Sequence, residues 1–175
     1  FHPVTLEAST SKNQFQELLN SISELKDTKI IFTKANSDTD GRIINSMVDD
    51  YTAKHINTIA FASMGQLNYL SALQFVDAVV GNSSSGLLET PSFKIGTIDI
   101  GDRQKGRIKA DSVISCLPDK KNIDNALKKI YSRHFQEIVK NVKNPYGKGG
   151  ASKIILDIIK DFNLDNIIKK TFYDL

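Results

Sequence analysis

Asp77-Ala78-Val79-Val80-Gly81-Asn82-Ser83-Ser84-Ser85-Gly86-Leu87-Leu88-Glu89 is the stretch that decides the fold. It opens on a short apolar, β-branched run, passes through a turn of small polar residues, and closes on apolar residues ahead of Pro91. That order predicts a buried strand, a tight turn, and a short helix that Pro91 ends. The strand-turn-helix unit is the repeating piece of parallel α/β folds.

Working outward, the same alternation recurs on both sides. Helical spacing of Phe15, Leu18, Leu19, Ile22 and Leu25 predicts a helix over 11–25. Lys29-Ile30-Ile31-Phe32 reads as a strand buried on both faces. A second helix is predicted from Gly41 through about Lys54, a strand at 58–61, and a third helix over 66–75. Beyond the central stretch come strands at 96–100 and 112–115, helices over 122–139 and 152–162, and a last short helix over 164–169. Strands and helices of this length imply a doubly wound parallel sheet. Residues 1–162 are expected to form one Rossmann-like domain, with 163–175 as a terminal segment.

The bulk numbers exclude several classes. The chain has 175 residues, 40% apolar and 25% charged, an ordinary globular composition. Its net charge of +3 is mild, and the Lys residues are spread out, so no nucleic-acid footprint is expected. Cys116 is the only cysteine, which excludes an internal disulfide and a thiolate metal cage. No apolar run approaches the roughly 20 residues of a membrane span, so no membrane contact is expected and the compartment predicted is the cytoplasm. A sequence opening on Phe1-His2-Pro3 without Met is expected to belong to a longer chain.

Open α/β sheets bind ligands beyond the carboxyl ends of their strands. The segments there are His2-Pro3, Lys34 to Gly41, Ala62 to Gly65, Gly81 to Gly86, and Gly101 to Arg107. The small residues of Gly81 to Gly86 let a ligand approach the backbone, and the N–H groups opening the helix suit a diphosphate. The plainer reading is a serine-rich N-cap. Glu89, one turn further, suits the two hydroxyls of a ribose; its plainer reading is a capping carboxylate. Arg103, Lys105 and Arg107 can clamp phosphates or stand as a solvated basic loop. His2 can donate to a phosphate or exchange protons near neutral pH, or be an ordinary surface residue. Asn36, Asp38 and Asp40 read as a turn and lack the remaining ligands of a calcium loop, while His55 and His134 read as structural. No metal or cofactor is predicted.

Four motifs in order carry a resemblance: Phe1-His2-Pro3-Val4-Thr5; Gly81-Asn82-Ser83-Ser84-Ser85-Gly86 with Glu89; Gly101-Asp102-Arg103-Gln104-Lys105-Gly106-Arg107; and Asn144-Pro145-Tyr146-Gly147. Together they resemble the UDP-N-acetylglucosamine 2-epimerases over nearly the whole chain. The resemblance implies the C-terminal half of a GT-B-type two-domain enzyme, with residues 163–175 crossing toward an N-terminal domain outside this sequence. It implies that Ser83, Ser84 and Ser85 hold a diphosphate, Glu89 the ribose, and Arg103 and Arg107 the nucleotide's charge. It further implies that His2 contacts the phosphates and matters for activity, that Asn36 lies on the ligand side, and that Ser63 and Met64 flank the uracil. Non-hydrolysing members usually read His-Arg-Arg-Glu and Ser-Gly-Gly at the first two motifs. His2-Pro3-Val4-Thr5 and Ser83-Ser84-Ser85 depart from both and point to the hydrolysing branch, which releases N-acetylmannosamine and UDP for sialic-acid-type sugars. The alternatives are a non-hydrolysing epimerase, a GT-B glycosyltransferase domain and a non-catalytic nucleotide sensor. The implied partners are UDP-GlcNAc or UDP, the N-terminal domain of the same protein, and further copies in a homo-oligomer.

Overall fold

Short β-branched runs separated by amphipathic helices can satisfy their backbone only by pairing in parallel through helical crossovers. The computed structural model, which describes residues 1–3, 10–36 and 41–165, has that architecture. Its elements are α1 (Ser11–Ile22), β1 (Ile30–Thr33), α2 (Gly41–Thr52), β2 (Thr58–Phe61), α3 (Gly65–Ala72), β3 (Ala78–Gly81) and α4 (Ser85–Leu88). After a 3₁₀ turn (Thr90–Phe93) follow β4 (Gly96–Ile100), β5 (Val113–Cys116), α5 (Lys120–Ile130), α6 (Arg133–Asn141) and α7 (Ala151–Asp161).

Every strand pair is parallel. β1 pairs with β2, Ile30 opposite Thr58; β4 lies between β3 and β5, with Ala78 opposite Gly96 and Thr97 opposite Val113. The ladders form two groups, β1-β2 and β3-β4-β5, because no backbone bonding joins β1 to β3 among the described residues. One core serves both: Ile30 and Phe32 pack onto a cluster holding Phe15, Ile44, Val48, Ile98, Ile114 and Ile123.

β4 is buried along its whole length, and its alternation shows the winding on two faces. A Cβ on Gly86 of α4 would stand 2.6 Å from Thr97 Cγ2, whereas a Cβ on Gly96 would stand 2.9 Å from Ile130 Cγ1 of α5. Adjacent strand residues face opposite sides, so α4 and α5 cover opposite faces of the sheet.

Two expectations need correction. Residues 122–139 form two helices, α5 and α6, with an interruption at Tyr131 and Ser132. Ser132 takes an extended backbone and its Oγ accepts the Phe135 N–H at 3.3 Å, starting a new helix. The buried stripe jumps five positions there, from Ile130 to Phe135, which helical spacing cannot span. Second, β1 and β2 are covered on one face only: Ile31 and Ile59 are 45% and 51% exposed. The expected third helix, α3, is present and buries none of its own residues. The expected helix over 164–169 falls mostly outside the described residues, and Leu164 and Asp165 are not helical.

Candidate nucleotide site

β3 delivers its ligand-side turn through an unusual backbone step. Gly81 adopts a φ of +150°, a conformation that is essentially glycine's alone, and it swings Asn82 out of the strand into a fully enclosed position. Asn82 is 1% exposed and joins distant segments. Its Oδ1 accepts the His2 N–H at 2.7 Å, and its Nδ2 donates to the His2 carbonyl at 2.7 Å. This double bond to the main chain fixes His2 at the carboxyl end of β3. The Asn82 carbonyl in turn accepts from Gln104 Nε2 at 2.8 Å and from Arg103 Nη1 at 3.0 Å. Asn82 therefore ties the start of the chain and the basic loop to the residue just before Ser83.

The serine turn itself is closed by Gly86 N–H donating to Ser83 O at 3.2 Å and Leu87 N–H to Ser84 O at 3.0 Å. The N–H groups of Ser83 and Ser84 precede these first turn bonds and so are not consumed by the helix. Ser84 is the N-cap by position, but its backbone is helical and its hydroxyl caps nothing. Of the serine-rich N-cap expected as the plainer reading, what remains is Ser83 Oγ, which accepts the Ser85 N–H at 3.4 Å. Glu89 also departs from its plainer reading. It stands at the carboxyl end of α4, where the helix dipole opposes a carboxylate, and makes no side-chain cap bond. Gly86 differs from its expected part too. It faces the sheet, where α4 packs on Thr97, rather than a ligand.

Tyr69 of α3 reaches the same turn and bonds Ser85 Oγ through its phenol oxygen. Burial raises its pKa, the bond to Ser85 lowers it, and the nearby Glu89 charge raises it further. The loop after β4 is anchored at its far end by Lys109, whose Nζ stands 2.7 Å from the buried Asp99 carboxylate and 2.7 Å from Ser115 Oγ. Cys116 beside it is no thiolate nucleophile: burial, with the Asp99 and Asp119 charges, pushes its thiol up to about 11.

The fourth motif is a fastening. Asn144 Nδ2 donates to Leu88 O at 2.8 Å and to Ser92 Oγ at 2.7 Å, and the Tyr146 hydroxyl donates to Ile108 O at 2.9 Å. It thus secures both the end of α4 and the end of the basic loop. The structure brings together His2, Ser83, Ser84, Ser85, Glu89 and Arg103 around β3. Asn36, Ser63 and Met64 follow β1 and β2 at the same end of their strands, without a hydrogen bond to the serine turn; Arg107 is exposed. Ser63 Oγ accepts the Gly65 N–H at 3.2 Å, a local turn contact. Val4, Thr5, Asp38 and Asp40 lie outside the described residues. Among the described residues no cluster of His, Cys, Asp or Glu could hold a metal ion.

The profile of the UDP-N-acetylglucosamine 2-epimerase family matches residues 1–160. The chain belongs to that family. Among similar proteins, the GDP/UDP-N,N'-diacetylbacillosamine 2-epimerase (hydrolyzing) of Campylobacter jejuni is 40% identical over all of this chain and 46% of its own length. The polysialic acid biosynthesis protein P7 of Escherichia coli is 39% identical over all of this chain and 45% of its own. The UDP co-structure of MnaA from S. aureus superimposes with a TM-score of 0.72 at 18% identity, covering 91% of this chain and 43% of that one, which shows the shared fold. The chain spans less than half the length of the relatives it matches.

Within this epimerase-family fold, sequence reading missed Asn82 as the organiser, Gln104 as its partner, and Tyr69. Asn82 had a signal: a polar residue between a strand-ending glycine and the serines. Gln104 had one only in its place inside the basic motif, and Tyr69 had none, since α3 lacks an amphipathic pattern.

Proposed function

We propose that the protein carrying this chain is a hydrolysing UDP-N-acetylglucosamine 2-epimerase, with residues 1–162 as its UDP-binding domain. The observation that carries this reading is the Asn82 junction, which gathers His2, the serine turn and Arg103 at one strand end in a member of the epimerase family. Loss of the C2 proton and cleavage of the C1–O bond expel UDP and leave a glycal. Water then adds across the double bond, giving N-acetylmannosamine. The charge that develops on the departing diphosphate is met by the N–H and O–H donors of Ser83, Ser84 and Ser85, by Arg103, and by His2 as the catalytic donor. Glu89 holds the ribose hydroxyls; Asn36, Ser63, Met64 and Arg107 complete the rim around the nucleotide.

The acid and base acting at C2 belong to the N-terminal part of the enzyme, so this chain by itself binds UDP and turns nothing over. Residues 163–175 cross toward that part. The outward apolar side chains of α7, Ile155, Ile158 and Ile159 among them, support such a destination for the end of the chain. The compartment that goes with this reading is the cytoplasm; among the described residues no helix is long and apolar enough to cross a membrane. Homo-oligomerisation belongs to the same reading.

The test is incubation of the full-length protein with UDP-GlcNAc in deuterated water. Free UDP and C2-deuterated N-acetylmannosamine are expected. UDP-ManNAc without free UDP marks the non-hydrolysing branch, and UDP release that needs an added sugar acceptor marks a transferase. A second sugar, UDP-N,N'-diacetylbacillosamine, is favoured by the name of the Campylobacter jejuni relative, and faster turnover of it would reassign the substrate.

A further inference from the structure

Ser85 is the most committed of the turn serines. Its N–H donates to Ser83 Oγ at 3.4 Å, its carbonyl accepts from Glu89 N–H at 2.9 Å, and its hydroxyl oxygen meets the Tyr69 phenol. Only one hydrogen in the Tyr69–Ser85 pair can lie between the two oxygens, and the other is left to point elsewhere. Which one lies between decides what the turn offers a ligand. A phenol is the stronger acid of the two and the better donor, so the shared hydrogen is tyrosine's. The serine hydrogen is then released from that bond and available to a ligand.

We propose that Tyr69 is a positioning residue of the phosphate turn: it donates to Ser85 Oγ and thereby aims the serine hydroxyl hydrogen at a diphosphate oxygen. This rests on the nucleotide reading above and adds to it the device that orients one of its donors. An oxygen that accepts one hydrogen bond donates its own hydrogen more strongly, so the pair polarises in the useful direction. Burial and the Glu89 charge keep the phenol protonated, as the role requires. α3 buries none of its own residues and Leu67 on it is 80% exposed, so the helix is not held by a deeply buried face at Tyr69. Tyr69 is half-buried, and its phenol bonds the serine turn.

The experiment compares UDP with uridine, which lacks the diphosphate, on the full-length protein by calorimetry and NMR titration. Tyr69→Phe removes a single oxygen. It is expected to weaken UDP roughly three- to tenfold while leaving uridine affinity and Tm unchanged. Ser85→Ala is expected to cost at least as much, since it also removes the hydroxyl that meets the diphosphate, and the double variant no more than Ser85→Ala alone, because Tyr69 acts only through that hydroxyl. Unchanged UDP affinity in Tyr69→Phe overturns the proposal, as do an equal loss for uridine, strictly multiplying losses in the double variant, or a Tyr69→Phe protein that loses its fold. In each of those outcomes wild-type protein still binds UDP, so the nucleotide reading survives. Failure of wild type to bind UDP overturns that reading and this proposal together.

Discussion

Gly86 illustrates how little freedom a single position in this site has. Its missing side chain is filled by Thr97 Cγ2, 2.6 Å from where a Cβ would stand, so Gly86→Ala forces α4 off β4. A loss of about 1–3 kcal/mol in urea unfolding is expected. The second-site change Thr97→Ser removes the offending methyl but keeps the hydroxyl that meets Thr90, and it should recover most of the loss. Asn82→Ala should be costlier for the enzyme than for the fold. It removes both bonds that Asn82 makes to the part-buried His2 backbone, at roughly 1–3 kcal/mol, and loosens the placement of His2. Activity of the full-length protein should therefore fall further than the UDP affinity, and kcat measured against KM checks this. Asn45 makes the same two-way clasp on Ala35, through Ala35 N–H at 2.8 Å and Ala35 O at 3.2 Å. Neither clasp was legible in the sequence. Asn82 and His2 stand 80 positions apart, and an isolated asparagine in a turn reads as turn chemistry whatever else it does.

At the scale of elements, what could be read was whatever announced itself by local pattern. β3 and β4 are β-branched runs set between glycines and polar turns, and the structure has them where the pattern put them. The face of β1-β2 that lies open was not legible, because a four-residue apolar run looks the same whether one side or both are covered. The division of α5 from α6 could have been read from Ser132 and the five-residue jump in the apolar stripe. α5 also carries a titratable start. Asn122 donates its backbone and side-chain N–H groups to the Asp119 carboxylate, and these bonds hold its pKa below the ordinary value. A lowered folded-state pKa stabilises the fold above the unfolded value, and that contribution is lost as pH falls through the folded value. The Tm gap between wild type and Asp119→Ala should accordingly be widest above about pH 5 and shrink as pH falls below the ordinary aspartate value of about 3.9. A gap that grew on acidification would refute the capping role.

For the molecule as a whole, α3, the turn after it, α7 and the open face of β1-β2 leave apolar side chains uncovered, including Leu67, Phe75, Ile59, Ile155 and Ile159. Patches of this kind mark contact surfaces rather than solvent faces. Expressed by itself, the chain should bind a hydrophobic dye and self-associate, and Ile155→Lys with Ile159→Lys should reduce both, as read by light scattering. The whole-molecule class was legible, since alternating strands and helices leave few other topologies. The family followed from four motifs in order. The interruption between β1 and β3 was not legible, because hydrogen bonding between strands is a property of neighbours in space.

The clasp on His2 has a practical corollary. Asn82 grips only atoms that every amino acid other than proline possesses, so replacing the second residue leaves both bonds of the clasp available. Saturation mutagenesis at that position therefore amounts to a near-ideal titration of side-chain chemistry. Each replacement keeps that backbone anchor, and differences in turnover then report on the side chain put in place of the imidazole.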